Sequence, residues 1–333
     1  IQDVSLNFIS DKNLTLINSI SANYQGISIS NGSTSFNKNK KINIEGKFNS
    51  QFKFSSDAAN KLFVKSNINF LKENKINLQA SLIHKFSLTV DENFKLNNYE
   101  YYSKGNISES QIILKDKFKS VFLKKPINKI SIFKTNLEIN LNNNKNNSLM
   151  AEGFYNLGGQ KNKKFKVTHD LSKKNPKYLI DFDLSENIFL ELINFTTNLK
   201  NSSNIKSEIN FINNNLIFKS IKFTEGKNSI SINNLKLNKK NEIVSVPDIS
   251  VLTFKNNKEN NNFTITSKKK ISVTGKKYDT TYLLKQLSGD NKKNLLKNIT
   301  KDLEININSL LTKSKISLNN FRLIGRIKKG KFE

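Results

Sequence analysis

Apolar and polar residues alternate along most of this 333-residue chain, and this alternation constrains the fold more than any other feature. Ile180, Phe182 and Leu184 show the pattern, and Leu303 and Ile305 repeat it. Because successive side chains of a β-strand point to opposite faces, each such segment would carry one apolar and one polar face. Roughly twenty segments of this kind recur at intervals of about 10–15 residues, which predicts a long antiparallel meander.

The connections between these segments are short and polar. Asparagine-rich stretches such as 142–147 and 256–262 separate them, and asparagine tolerates the left-handed backbone that tight turns require. Asn31-Gly32 predicts a two-residue hairpin turn of type I′. No composition change marks a linker on the scale of a domain, so we expect residues 1–333 to form one extended β-groove region.

Helical periodicity is clearest within residues 279–300. Asp279 can cap the start of a helix, Tyr282 and the leucines after it share one face, and Gly289 can end the first helix. We therefore expect a few short helices there, packed against an edge or an end of the sheet. Residues 186–195 fit either a helix or a strand.

Composition narrows the ways in which the apolar faces can be covered. Hydrophobic residues make up 36% of the chain, below the roughly 45–50% of compact domains, yet 24 Phe are too many for a disordered chain. Sandwiches and small barrels usually stop after roughly seven to ten strands. The predicted fold is therefore mainly β, a long antiparallel meander curled into an elongated trough. An open trough exposes an apolar stripe, and such patches mark binding surfaces.

The predicted lining of this trough consists of alternating apolar residues from three segments. We name as lining residues Phe48, Phe52, Phe54, Leu137, Ile139, Leu141, Ile230 and Ile232. Ordinary packing under a helix or a loop explains each of them equally well.

The charge of the chain is strongly positive, at +28, and 55 residues are basic. Only Arg322 and Arg326 are arginines, although nucleic-acid binders favour arginine for bidentate contacts with phosphate and guanine. Adjacent residues such as Phe133 and Lys134 point to opposite faces of a strand, which separates base stacking from phosphate binding. We therefore expect a solvated lysine surface and no nucleic-acid partner, with attraction to anionic lipid headgroups as an intermediate possibility.

Catalytic and metal-binding patterns are missing from the sequence. The chain has no Cys and two His, which excludes thiolate sites, disulfides and His-rich metal sites. We interpret His169-Asp170 as a surface turn, and His84, which shares the parity of nearby apolar positions, as a hydrogen-bonded packed histidine. Asp181 and Asp183 are interpreted as solvated carboxylates in preference to a weak cation site. We therefore expect a protein that is not an enzyme and that uses no cofactor and no metal.

The last third of the chain carries a recognisable order of elements. A strand reaches Gly275, the pair Tyr278-Asp279 opens a predicted helix with paired leucines, an alternating strand follows at 303–310, and a basic glycine hairpin ends the series at 326–331. This order resembles the AsmA-like family of bacterial envelope proteins, and most closely its YhdP-type branch, which is related to the TamB-like bridge lipid transporters. The resemblance covers residues 216–332.

The resemblance implies a trough-shaped protein that is anchored in the bacterial inner membrane and crosses the periplasm. Phospholipids would be the partners, and their acyl chains would move along the apolar lining between the inner and the outer membrane. No apolar run here reaches the length of a membrane helix, so we expect this chain to be a fragment of a longer, anchored protein. The alternative that stays open is a cargo-free β-rich structural or adhesin-like scaffold of the cell envelope. The oligomeric state is left open.

Overall fold

The computed structural model places the backbone of most of the chain. It describes residues 1–38, 41–55, 73–119, 126–143, 147–158, 161–171, 176–198, 201–212, 215–239, 243–282, 299–329 and 331–332. These residues belong to two compact units. The first comprises Ile1–Lys119 and Pro126–Lys174, and the second contains Asn175–Glu333.

The first unit is an antiparallel β-sheet. Its strands are β1 (Gln2–Ser10), β2 (Leu14–Tyr24), β3 (Ile27–Lys38), β4 (Ile42–Phe54), β5 (Lys75–Val90), β6 (Leu96–Phe118), β7 (Ile127–Asn142), β8 (Ser148–Leu157) and β9 (Lys163–Asp170). Each strand pairs antiparallel with the strand that follows it in the sequence. The predicted β-rich meander is therefore confirmed for this unit.

Strand β5 shows how the alternating sequence produces two different faces. Ile76, Ala80 and Leu82 are buried on one face, whereas Ile83, one position further along, is 54% exposed on the other. Because the side-chain period of a strand is two residues, a slip of one position would exchange these faces. The apolar pattern therefore fixes the register of β5 against its neighbours.

The predicted hairpin turn at Asn31-Gly32 is wrong. Both residues lie within β3, next to an irregularity in the pairing between Ser30 and Ser33. Asn31 does adopt a positive φ of 52°, but this left-handed residue serves a bulge, which needs the same backbone freedom as a tight turn. The turn itself falls between β2 and β3, where Gln25 and Gly26 have positive φ.

The second unit is also a β-sheet, with a short irregular segment in addition. Its elements are β10 (Lys177–Asp183), β11 (Phe189–Leu190), the 3₁₀ turn η1 (Glu191–Ile193), β12 (Phe195–Thr196), β13 (Ser203–Ile212), β14 (Asn215–Glu225), β15 (Asn228–Leu237), β16 (Ile243–Ser245), β17 (Asp248–Lys255), β18 (Lys258–Ser267), β19 (Ile271–Asp279), β20 (Thr300–Leu311), β21 (Ser317–Lys328) and β22 (Lys331–Phe332). Strands β10 and β13 to β19 pair antiparallel. The pairs β20–β21 and β21–β22 are antiparallel as well.

One pair departs from the predicted antiparallel arrangement, because β19 and β20 run parallel. Parallel neighbours cannot be joined by a tight turn and need a crossover of a dozen or more residues. The connection between Asp279 and Thr300 supplies that length. Most of the predicted helical segment, at 283–298, lies outside the described residues, and Asp279 itself ends β19.

Apolar burial is unevenly distributed between the two units. Among the described residues, fifteen buried apolar side chains belong to the second unit and four to the first. The second unit forms a contiguous hydrophobic cluster around Ile307, which is completely buried. Within the described ranges, no helix combines the length and the apolar composition that crossing a lipid bilayer requires.

Candidate functional site

The strand register of the first unit brings its predicted lining residues onto one face of the sheet. Phe48 pairs with His84, His84 with Ser103, and Ser103 with Ile139. Directly paired residues of an antiparallel sheet share a face, so this row runs across β4, β5, β6 and β7. We call the face of β4–β8 that carries Phe48 the apolar lane.

Parallel rows place the other lining residues of this unit in the same lane. Phe52 pairs with Ala80. Leu137 pairs with Gly105, and Leu141 pairs with Tyr101. The lane continues onto β8, where Ile139 and Leu137 meet Leu149 and Ala151. At position 54 the backbone of Phe54 pairs with Leu78, and its side chain lies outside the described part of the structure.

The predicted lining residues of the apolar lane are only partly covered. Phe48, Phe52, Leu137, Ile139 and Leu141 are all half-buried. A fully packed core would bury residues of this type almost completely. The lane therefore keeps apolar surface in contact with solvent on β4 and β7, whereas Ala80, Leu82 and Ser103 on the strands between them are buried.

The two lining residues predicted in the second unit have a different environment. Ile230 belongs to the buried hydrophobic cluster of that unit, and Ile232 packs against it. Ordinary core packing, the alternative stated for every lining residue, accounts for both of them. The structure therefore does not bring Ile230 and Ile232 onto an open face.

A hydrogen-bonded polar cluster lies in the middle of the apolar lane. The Nε2 atom of His84 is 2.6 Å from the hydroxyl of Ser50, and its Nδ1 atom is 2.8 Å from the hydroxyl of Tyr101. The ring also stacks on Phe48, with centroids 4.3 Å apart. His84 is 4% exposed, and burial lowers its pKa. The expectation of a hydrogen-bonded packed histidine is confirmed.

The contact between Ser50 and His84 lacks the surroundings of a nucleophilic catalyst. The group that orients the imidazole is a phenol, not a carboxylate. Strand β4 is paired on both sides, with β3 and β5, so its backbone N–H groups bond to neighbouring strands. A developing oxyanion needs free donors next to the nucleophile, and a doubly paired strand does not provide them.

Ser103 adds an unsatisfied hydroxyl to the lane. Its side chain is 1% exposed, and its Oγ has no hydrogen-bond partner in the described part of the chain. The residue pairs directly with His84. Leaving a buried hydroxyl unpaired costs about 1–3 kcal/mol.

Close packing shapes the lane at Gly46. A Cβ atom on Gly46 would lie 2.4 Å from the Cζ atom of Phe86, because the Phe86 ring occupies that space. Gly46 and Phe86 are paired across β4 and β5. A side chain at position 46 would push the ring outwards and interrupt the lane.

In the second unit, a segment that we call the covering segment, residues 184–198, fills the apolar face of the sheet. It contains β11, η1 and β12. Ile193 and Phe195 are buried in the hydrophobic cluster, and Phe195 packs edge-on against Phe223 with centroids 5.8 Å apart. The hydroxyl of Tyr278 donates to the carbonyl of Leu192 over 3.1 Å, and burial raises the pKa of that tyrosine.

Asn261 ties the covering segment to the sheet. Its side chain is 0% exposed, and its Nδ2 donates to the carbonyl of Ile193 over 2.7 Å and to the hydroxyl of Thr253 over 2.9 Å. Its Oδ1 accepts from the backbone N–H of Asp279 over 2.9 Å. One side chain therefore connects β17, β18 and β19 to η1.

The remaining candidates from the sequence occupy strands. His169 and Asp170 are the last residues of β9, so the interpretation as a surface turn is wrong. Asp181 forms an ion pair with Lys206 at 3.1 Å, and the Nδ2 of Asn204 donates to both Asp181 and Asp183.

Because protein donors occupy these carboxylates, the contacts favour a structural role for them. No group of three or more potential metal ligands occurs in the ranges that the structure describes.

Comparisons of the chain with protein-family models, with curated proteins and with solved structures found no match. The function is therefore inferred from the geometry of the two units and from the resemblance noted in the sequence.

Proposed function

We propose that the apolar lane of the first unit binds the acyl chains of phospholipids and shields them from water. The observation that carries the proposal is the half-buried apolar surface that β4 and β7 present on the lane face, at Phe48, Phe52, Leu137, Ile139 and Leu141. Apolar surface left open to solvent in a contiguous patch is typical of binding sites. The protein would act without a chemical step, as a surface along which acyl chains are held or move.

The energetics of burial support this role. Transfer of one methylene group from water to an apolar surface is worth about 0.8 kcal/mol. A lane several strands wide can cover many methylene groups of one acyl chain, so it would offset much of the cost of moving that chain through water. The direction of movement would then be set by the membranes at its ends.

The family resemblance supplies the cellular setting of the proposal. A YhdP-type AsmA-like protein would lie in the periplasm, anchored in the inner membrane in its full-length form, and would conduct phospholipids towards the outer membrane. In this proposal the sheet of the first unit curls into a trough whose inner wall is the apolar lane. The β-rich meander and the alternating strand faces support that arrangement.

A second candidate function has one observation in its favour. The covering segment fills the apolar face of the second unit with the chain's own side chains, as in a structural domain that carries no cargo. A β-rich scaffold of the cell envelope without lipid would need the first unit to be equally inert. The two candidates therefore differ in what binds to the lane.

The test compares two identical substitutions on opposite faces of the first unit. We expect Ile139→Asp to place a carboxylate in the lane and to lower the amount of bound phospholipid severalfold, because burying a charge beside an acyl chain is unfavourable. The matched control is Ile83→Asp, since Ile83 is 54% exposed on the opposite face of β5. The measurement is native mass spectrometry of protein purified from bacteria without detergent, followed by lipid extraction.

The outcome separates the two candidate functions. Phospholipid on the wild-type protein and on Ile83→Asp, with loss from Ile139→Asp, supports the lane. An unloaded mass for the wild-type protein would contradict the proposal and favour the scaffold. Equal loading of both variants would place the lipid outside the lane.

A further inference from the structure

The first unit contains a concavity of about 720 Å³, to which β4, β5, β6 and β7 each contribute three consecutive residues centred on Gly46, Phe86, Tyr101 and Leu141. Strands β2 to β7 contribute to it. The side chains that line it form two rows, which flank the row from Gly46 through Phe86 to Tyr101. Each flanking row is one position away from that row on every strand, so its side chains point to the polar face.

One flanking row carries two lysines directly opposite each other. Lys47 of β4 pairs with Lys85 of β5, and Lys85 pairs with Tyr102 of β6. Like charges in directly opposed positions of a sheet destabilise it. An anion bound between the two ammonium groups would remove that repulsion.

The other flanking row carries two glutamates. Glu45 of β4 pairs with Ser87, and Ser87 pairs with Glu100 of β6. The two carboxylates therefore flank the hydroxyl of Ser87 across two strand spacings, about 10 Å apart along the sheet. A primary ammonium group has the charge and the hydrogen-bond donors that this arrangement can accept.

These four charged side chains are exposed on the polar face of the sheet. None of them forms an ion pair within the described part of the chain. Elsewhere the register brings opposite charges together, as in Lys104 with Glu138 at 3.6 Å and Lys166 with Glu152 at 2.9 Å. Within the concavity the register groups like charges in rows, the lysines in one row and the glutamates in the other.

We propose that this concavity binds a zwitterionic phosphate ester, with the phosphate between Lys47 and Lys85 and a primary ammonium group between Glu45 and Glu100. The two rows are two residues apart on each strand, about 7 Å, which suits an ammonium and a phosphate joined by a short linker. Two directly opposed lysines favour binding of a phosphate over binding of a singly charged carboxylate. The site lies on the face opposite to the apolar lane, so it goes beyond the proposed function and is independent of it.

The test is calorimetric titration of the full chain with phosphoethanolamine, with inorganic phosphate and with ethanolamine. We expect saturable binding of phosphoethanolamine, at least about tenfold tighter than that of either half alone. Lys85→Gln and Glu100→Gln should each weaken it about tenfold, in line with the loss of one charge-assisted contact. The matched control is Lys104→Gln, which changes the same kind of charge on the same face of β6, outside the concavity and within an ion pair.

Several outcomes would overturn the proposal. Equal affinity for inorganic phosphate and phosphoethanolamine, with no effect of Glu100→Gln, would show that the concavity binds an anion and does not recognise the ammonium group. Equal weakening by Lys104→Gln and Lys85→Gln would show that the general positive charge of the surface, and not this concavity, accounts for the binding. Ile139→Asp should leave the titration unchanged, so failure of the acyl-chain proposal and failure of this one are distinguishable.

The same chemistry occurs in a soluble metabolite and in a lipid headgroup, and vesicles separate these sources. We expect free phosphoethanolamine to compete with vesicles of phosphatidylethanolamine if the headgroup is the natural ligand. Binding of the free compound without binding to these vesicles would assign the site to a soluble zwitterion. Binding to neither probe would contradict the proposal.

Discussion

His84 is the central residue of the hydrogen-bonded polar cluster in the apolar lane. It is the one ionisable side chain in the cluster with Ser50 and Tyr101 that changes charge near neutral pH. Both hydroxyl partners can donate or accept a hydrogen bond, so the neutral ring is satisfied in either tautomer. Protonation would instead place a positive charge on a buried apolar face, which explains why burial lowers the pKa of His84.

The first prediction concerns this protonation. Because the pKa of His84 is lowered in the folded protein, the unfolded chain binds the proton more readily, and stability falls as the pH drops below about 6.5. The loss should continue until the pH reaches the folded-state pKa. Thermal unfolding between pH 7.5 and pH 5 should therefore show a smaller decrease in midpoint for His84→Gln than for the wild-type protein.

His169 provides the control for that measurement. Burial also lowers its pKa, although nearby Asp170 opposes the shift, so His169→Gln should remove a separate and additive part of the pH dependence. An identical decrease in the wild-type protein and in His84→Gln would show that the cluster does not contribute.

The environment of a single residue was only partly predictable from the sequence. The parity of His84 within an alternating segment was enough to place it on the apolar face. Its partners were not predictable, because Ser50 and Tyr101 are 34 and 17 residues away, and only the strand register brings them together. The absence of a catalytic motif likewise gave no information about such a cluster.

At the scale of elements, the alternation of apolar and polar residues predicted the strands well, but it did not predict the bulge at Asn31-Gly32 or the covering segment. The β-strands follow the apolar pattern because each has one face to cover. Asn31-Gly32 was misread because a bulge and a hairpin turn require the same left-handed backbone. Residues 186–195 fitted either a helix or a strand because their apolar side chains pack against the sheet and form little regular structure of their own.

The second prediction tests the attachment of the covering segment. We expect Asn261→Ala to destabilise the second unit by about 2–4 kcal/mol, because it leaves the carbonyl of Ile193 and the backbone N–H of Asp279 without their partner. The matched control is Asn262→Ala, since Asn262 is partly buried and its Nδ2 donates to Glu259 over 3.0 Å. Chemical unfolding followed by hydrogen exchange would measure both the loss and its location.

Two outcomes would contradict the proposed role of Asn261 in attaching the covering segment. If the two alanine variants lose the same stability, the hydrogen bonds of Asn261 do not hold the segment in place. If exchange increases throughout the first unit as well, the effect is not specific to the covering segment.

At the scale of the whole molecule, both units are β-sheets built from strands with one apolar face, and they differ in how those faces are covered. The second unit covers its apolar face with residues 184–198 and a buried hydrophobic cluster. The first unit leaves the lining residues of the apolar lane on β4 and β7 half-buried. Composition predicted little core for the chain as a whole, but it could not show that this core is concentrated in one unit.

The strand parity of the lining residues explains why five of the eight, all those of the first unit whose side chains the structure describes, fall on one face of that unit. Phe48, Leu137 and Ile139 alternate in their own strands, and the register then aligns those strands. Ile230 alternates just as well, yet it lies in a packed core. Periodicity shows which face of a strand is apolar, whereas only the fold decides what covers that face.

Photo-crosslinking with a phospholipid that carries a diazirine in its acyl chain, followed by peptide mapping, would locate bound acyl chains on the protein. We expect crosslinks to lane residues of β4–β8, including Leu137 and Ile139, and none to the buried cluster around Ile307. Ile139→Asp should reduce them and Ile83→Asp should not. Crosslinks confined to the second unit or to the polar face of the first, or no crosslinks at saturating lipid, would contradict the claim that the apolar lane binds acyl chains.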